Sequence, residues 1–137
     1  MFKSIVVPVD LLHKETLSKA LSVARDLARA YSAKYYIVGV TSDTPNRLAQ
    51  TPAEYEAKLA DYAKALSDDF GIDVHPYPLV SRDYVVDLDR QIMDACERVE
   101  ADLVVMASHV PGLAEYVLAS NAGYLASHAK ISVFVVR

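Results

Sequence analysis

Cysteine, long apolar runs and positive charge are all scarce in this sequence, and each shortage argues against a class of protein. The single cysteine, Cys96, cannot form an internal disulfide, which indicates a reducing, cytoplasmic setting. No apolar run approaches the roughly 20 residues of a membrane span, and the opening "MFKSIVVPVD" lacks a signal-peptide pattern. Acidic residues outnumber basic ones, 18 to 14, which disfavours a general nucleic-acid surface.

The residue patterns of common catalytic and metal sites are also missing. The sequence has no Ser-His-Asp order, no paired-carboxylate signature and no Walker lysine. Asp10 resembles a phospho-acceptor aspartate, but the acidic pair and the lysine of a receiver domain are absent. His13 and His75 have no partners at metal-ligand spacing. We therefore expect neither a metal site nor catalytic residues.

Hydrophobic patterning alternates between strand and helix along all 137 residues. Short apolar, β-branched runs predict five strands, at 4–9, 34–40, 72–80, 102–107 and 132–136. Apolar residues at helical spacing predict helices over about 15–32, 52–70 and 87–99, and a fourth between the last two strands. Thr51, Pro52 and Glu54 form a capping box at the second helix, and Gly71 ends it. The pattern predicts a single domain, 1–137.

The order βαβαβαβαβ predicts a parallel α/β sheet with helices on both faces. Pro76 and Pro78 lack backbone donors on the same side of the third strand, which places that strand at an edge. A consistent strand order is 3-2-1-4-5, reversing between strands one and four. Ligands of such sheets bind beyond the carboxyl ends of the strands at the reversal. Asp10 and Ala107-Ser108 stand there.

The stretch "ASHVPGLAEYVLASNAG", residues 107–123, predicts a ligand loop before the last helix. A helix N-terminus offers unpaired N–H groups and partial positive charge, which suit phosphate. Ser120 and Asn121 would add hydroxyl and amide donors, and Ala119 would permit close backbone approach. Asp10 would accept from a ribose hydroxyl or an adenine amine. The alternative is that Ser120 or Asn121 only caps its own helix.

Three segments resemble the universal stress protein family: "IVVPVD", "DLVVMASH" and "LASNA…SHAKISVFVVR". The likeness runs the length of the chain, and "ASHVPGLAEYVLASNA" is most similar to the small bacterial F- and G-type members. The resemblance implies a Rossmann-like, adenine nucleotide alpha hydrolase-like fold, usually dimeric, with ATP or AMP bound in the nucleotide-binding members.

The resemblance also assigns positions to a nucleotide site, with departures. Ala107, Val110 and Ala119 stand at the three glycines of the family's G-x2-G-x9-G-[ST] motif, and Ser120 at its hydroxyl. Val110 replaces the arginine usual in the F/G subgroup, Ala119 a glycine, and Leu12 a small polar residue. The full set of nucleotide-binding residues implied is Pro8, Val9, Asp10, Val40, Met106, Ala107, Ser108, His109, Ala119, Ser120, Asn121 and Ala122.

The absence of an arginine at position 110 affects which nucleotide the site would bind. No lysine or arginine lies between Ala101 and Ala129, and losing a charged hydrogen bond costs about 1.5–3 kcal/mol. A triphosphate would depend on backbone amides, hydroxyls, His109 and Mg²⁺, so we expect weak or AMP-favouring binding. Any ATP hydrolysis or autophosphorylation would be weak and incidental.

The expected function is nucleotide-dependent sensing or signalling in the cytoplasmic stress response, with protein partners whose identity the sequence does not reveal. The alternative is a dimeric interaction protein whose degenerate pocket has lost the nucleotide. The strand Ser132–Val136 is apolar, uncharged and free of proline. Such an edge favours aggregation unless it is covered. We therefore expect a homodimer through this strand, as the resemblance also implies.

Overall fold

A five-stranded parallel sheet in the order β3-β2-β1-β4-β5 organises the molecule. The computed structural model describes residues 1–82, 88–107, 127 and 130–137. Its strands are β1 (Ser4–Val9), β2 (Lys34–Ser42), β3 (Val74–Ser81), β4 (Leu103–Ala107) and β5 (Ser132–Val136). The helices are α1 (Ser18–Tyr31), α2 (Pro52–Phe70) and α3 (Leu88–Arg98), with a 3₁₀ turn at Lys14–Leu17.

The predicted strand order and parallel direction are confirmed, with small shifts at the ends of elements. β1 and β5 have the predicted bounds, whereas β2 continues two residues further, to Ser42, and β3 begins at Val74. The first predicted helix divides into the 3₁₀ turn and α1. The helix predicted between β4 and β5 lies outside the described residues.

Side-chain contacts place α1 and α2 on the same face of the sheet. The Tyr35 hydroxyl in β2 donates to the Leu21 carbonyl of α1 at 3.0 Å, and the Tyr35 ring lies 6.2 Å from that of Phe70 at the end of α2. The connection through α3 runs back across the sheet in the opposite direction. Right-handed crossovers therefore put α3 on the other face.

The helix ends follow the capping chemistry of their residues. The Thr51 hydroxyl accepts from the Glu54 N–H at 3.1 Å, and the Glu54 carboxylate accepts from the Gln50 N–H at 3.0 Å. Gly71 ends α2 with φ of 66°. Tyr31, in the last turn of α1, is 40% exposed. Its ring packs edge-to-face on Phe2, with the ring centres 5.4 Å apart. None of the described helices has the length and apolarity to cross a membrane.

The two edge strands of the sheet are β3 and β5, as the sequence predicts. Pro76 and Pro78 lie opposite Ile37 and Gly39 in the β2–β3 ladder, so the missing N–H donors face away from β2. β5 forms the other edge beyond β4. Phe134 and Val135 on β5 are 45% and 39% exposed, which leaves a bare apolar edge among the described residues.

A close approach between β2 and α2 requires glycine at position 39. A Cβ added to Gly39 would overlap the Tyr55 hydroxyl and lie 3.1 Å from Leu59 Cδ1. Tyr55 and Leu59 are both fully buried, so neither side chain has space to move aside. The two elements therefore pack at a distance that only glycine permits.

We expect Gly39→Ala to destabilise the protein by about 1–3 kcal/mol, measured by urea unfolding, because it overpacks a closed interior. The cost should shrink in the Tyr55→Phe background, which removes the overlapping oxygen. Gly71→Ala is the matched control: its Cβ meets nothing nearer than 3.6 Å, so only backbone strain of about 1 kcal/mol applies. Equal costs for Gly39→Ala in both backgrounds would contradict the proposed overlap.

Candidate functional site

The strand order reverses between β1 and β4, and their carboxyl ends define the candidate site. β1 pairs with β2 over six residues, from Ser4 to Val9, but with β4 only over Ile5 and Val6. The carboxyl halves of β1 and β4 are therefore not joined by the ladder. In parallel sheets this is where neighbouring connections leave towards opposite faces and open a crevice.

The predicted site residues divide into a buried floor, a half-buried rim and a set that is not described. Four floor residues are buried, namely Pro8, Val9, Met106 and Ala107. Asp10 and Val40 are half-buried. The remaining predicted residues lie outside the described part of the chain, namely Ser108, His109, Ala119, Ser120, Asn121 and Ala122. The described floor is apolar. Among the described site residues, Asp10 is therefore the one whose side chain can form hydrogen bonds with a ligand.

Asp10 directly follows β1, and its own loop holds its carboxylate. Oδ1 accepts from the Leu12 N–H at 2.9 Å, and Oδ2 lies 3.0 Å from His13 Nδ1. The Asp10 carbonyl accepts from the His13 N–H at 3.1 Å, closing a turn. The side chain is 16% exposed. Because an ionised carboxylate oxygen can accept two hydrogen bonds, each oxygen retains one acceptor position for a ligand.

His13 is the residue of this site that the sequence reasoning missed. The sequence pattern indicates only that His13 has no partners at metal-ligand spacing, and it does not predict the pairing with Asp10 that the structure shows. The available signal was the D-x-x-H spacing across a turn at a strand end. Thr16 fixes the histidine from the other side: its N–H and its hydroxyl both donate to the His13 carbonyl.

The loop after β2 forms a second wall, organised by Asn46. Asn46 Oδ1 accepts from the N–H groups of Leu48 and Ala49 at 2.9 and 3.1 Å. Its Nδ2 donates to the buried Thr41 hydroxyl at 3.1 Å. Lys58 of α2 donates to the Leu48 carbonyl. One amide side chain thus fixes the loop that follows β2, the strand that contains the predicted nucleotide-binding residue Val40.

At the end of β3, polar groups are buried without a partner among the described residues. The Ser81 hydroxyl is one, in a residue 1% exposed, and Asp89 Oδ1 and Gln91 Oε1 at the start of α3 are others. Burial raises the pKa of the Asp89 carboxyl. Ser81 and the start of α3 flank residues 83–87, which are not described. No pattern in the sequence predicts this buried polarity.

Two lysines close to the carboxyl edge are already engaged. Lys19 of α1 donates to the Arg137 carbonyl, one residue beyond the Ala107–Val136 pair of the β4–β5 ladder. Lys14 Nζ lies 5.0 Å from the centre of the Tyr62 ring. Neither ammonium group forms a salt bridge with an aspartate or glutamate side chain among the described residues.

A separate cavity lies at the opposite end of the sheet. It has a volume of about 170 Å³ and runs between the end of α3 and the approach to β5. Met93, Cys96, Ala101 and Ile131 give it a mainly apolar lining. Burial raises the pKa of the Cys96 thiol to about 12. Among the described residues, no cluster of side chains suits a metal ion.

We expect Cys96 to be inert in the folded protein, because only a thiolate reacts readily with disulfide reagents and its pKa lies well above neutral. Labelling with a chromogenic disulfide at pH 8 should be slow in buffer and rapid in denaturing urea. The urea-unfolded chain serves as the internal control for reagent and stoichiometry. Rapid labelling of the folded protein would show that the thiol is accessible.

The fold and the site define a class: a parallel α/β protein with a polar residue at the order reversal, where such sheets hold nucleotides. The model of the universal stress protein family matches residues 1–137, and the chain belongs to that family. Universal stress protein G of Salmonella typhimurium is 28% identical over 144 residues, covering 100% of both chains.

Several similar solved structures contain adenine nucleotides. A universal stress protein in complex with cAMP aligns with TM-score 0.70 at 18% identity, covering 99% of this chain and 97% of its own. One from Archaeoglobus fulgidus in complex with dAMP has TM-score 0.65 at 20% identity and 98% coverage of both chains. One from Arabidopsis thaliana with AMP bound has TM-score 0.65 at 13% identity, covering 98% and 90%. At these identities the likeness establishes the fold.

Proposed function

We propose that this protein binds an adenine nucleotide at the carboxyl ends of β1 and β4 and acts as a nucleotide-dependent sensor in the stress response. The observation that carries the proposal is Asp10. It is a half-buried carboxylate at the order reversal, above an apolar floor, with an acceptor position left on each oxygen. The relatives that hold cAMP, dAMP and AMP support the choice of adenine.

In this proposal Asp10 accepts a hydrogen bond from the ribose or the adenine. The surface around the nucleoside is provided by Pro8, Val9, Val40, Met106 and Ala107. Ser108, His109 and 119–122 contact the phosphates through backbone and side-chain donors. The nucleotide is AMP or a weakly held ATP, since Val110 removes a cationic contact and Ala119 adds a methyl group. With ATP, Mg²⁺ would offset part of the phosphate charge.

The rival function is a dimeric interaction protein that holds no nucleotide. One observation favours it: the Asp10 carboxylate already has a hydrogen bond to each oxygen from its own loop, so it needs no ligand. Leu12, beside it, is 49% exposed where the family usually has a small polar residue. Nucleotide binding decides between the two functions.

We expect millimolar AMP to raise the melting temperature, with ATP producing an equal or smaller shift. A ligand at 100 times its Kd adds about 2.7 kcal/mol of stability. Asp10→Ala should remove most of the shift because the acceptor is lost. Asp68→Ala is the matched control, because it also removes one carboxylate but from an exposed position on α2. Calorimetry should confirm the order of affinities.

Two results would count against this proposal in different ways. No shift with AMP, ADP or ATP would leave the interaction protein as the better function. Submicromolar ATP binding would keep nucleotide binding but contradict the expected weakness, and would mean that groups other than an arginine at position 110 neutralise the triphosphate.

We further propose that the protein is a homodimer whose subunits pair through β5. The bare edge with Phe134 and Val135 supports this proposal, since an exposed apolar edge is stabilised when a second copy covers it. The other edge, β3, is unsuited to such pairing because Pro76 and Pro78 interrupt its donors.

Light scattering at micromolar concentration should give the mass of a dimer, and Phe134→Lys should shift it towards the monomer by placing a charge in the interface. Val80→Lys on β3 is a matched control, because Val80 is 48% exposed against 45% for Phe134. Val80→Lys should remain dimeric. A monomeric wild type, or equal dissociation by both substitutions, would contradict pairing through β5.

The remaining parts of the proposal concern organisation and setting. We place the protein in the cytoplasm as a single domain over 1–137, with no turnover beyond weak ATP hydrolysis or autophosphorylation. The thiol-poor composition and the family membership support this placement. Signal output would pass to protein partners through a surface that responds to the bound nucleotide.

A further inference from the structure

His13 is held in a fixed relation to the proposed ligand-binding carboxylate. Its ring Nδ1 lies 3.0 Å from Asp10 Oδ2, and both residues belong to one turn closed by the hydrogen bond from His13 N–H to the Asp10 carbonyl. The His13 side chain is 29% exposed and that of Asp10 is 16% exposed. The contact is therefore partly shielded from water, which strengthens it relative to a surface pair.

The two hydrogen bonds on Asp10 together fix the carboxylate. With Leu12 N–H on Oδ1 and the His13 ring on Oδ2, rotation about the terminal bond of the side chain breaks at least one of them. Without His13, the Leu12 bond alone would leave the second oxygen free to move. The acceptor positions offered to a ligand therefore keep their directions only while His13 donates.

We propose that His13 is a positioning residue of the nucleotide site, which acts on the ligand through Asp10 and not by touching it. This inference rests on the proposed function. The imidazole donates its Nδ1 proton to Oδ2, which orients the unused acceptor positions of the carboxylate. The nucleotide then binds a preorganised acceptor and loses no affinity in ordering it.

The test is a double-mutant cycle on AMP affinity, measured by calorimetry on the full chain. His13→Ala should weaken AMP binding about three- to ten-fold, the loss expected when one side chain must be ordered on binding. In the Asp10→Ala background the same substitution should have no further effect. His13→Asn, whose amide can donate from nearly the same place, should restore most of the affinity.

Thr16→Ala is the matched control, because it loosens the same turn by removing a hydrogen bond to the His13 carbonyl without touching the carboxylate contact. Unfolding of each variant without ligand separates stability from affinity. A structural role alone would lower stability equally in His13→Ala and Thr16→Ala and leave AMP affinity unchanged in both.

The outcomes separate this inference from the function on which it rests. No AMP binding by the wild type would overturn the proposed function, and the inference with it. Wild-type binding with unchanged affinity in His13→Ala would overturn only the inference. Equal losses in the presence and absence of Asp10 would also overturn it, because His13 would then act independently of Asp10. So would His13→Asn as weak as His13→Ala, because a donor at this position would then not restore the affinity. If AMP binding by Asp10→Ala is too weak to measure, the comparison of His13→Ala with His13→Asn decides whether the inference holds.

Discussion

The reversal of strand order at β1 is the constraint on which the rest of this structure depends. All five strands run parallel, so every carboxyl end lies at one edge of the sheet. On one side of β1 the chain proceeds through β2 and β3, and it returns through α3 to β4 on the other. Right-handed crossovers then separate the helices onto two faces. Asp10, which follows the central strand, thereby stands at the point of separation.

The charge of the Asp10 carboxylate and the hydrogen bonds of its own turn then determine which part of a ligand it can bind. A carboxylate is a poor neighbour for phosphate, and its presence suits the nucleoside part of a ligand instead. The turn that holds it contains Leu12, His13 and Thr16, all within six residues of Asp10. Because the turn is closed by its own hydrogen bonds, it does not depend on a bound ligand for its shape. The same feature makes it compatible with both functions proposed for the protein.

Strand order, edges and caps could be predicted because their causes lie within a few residues of one another. Pro76 and Pro78 lack their donors wherever the strand is placed, and Thr51 and Glu54 lie within a single helical turn. The candidate site was predicted less completely. Asp10 could be predicted as a site residue because it directly follows a strand. Its pairing with His13 could not, because that contact depends on the φ and ψ angles of a turn. The packing of Tyr31 on Phe2 joins residues that are far apart in the sequence, so helical periodicity does not encode it.

The sequence by itself determined which segments become strands and helices, that the sheet is parallel and that β3 forms an edge, because patterning and missing donors act locally. Only the tertiary structure decided that Gly39 must lack a side chain beneath Tyr55, that Asn46 fixes the loop beside Val40, and that Ser81 is buried without a partner among the described residues. These features arise where elements distant in sequence approach one another. Their distances are set by the packing of the whole core and not by any one segment.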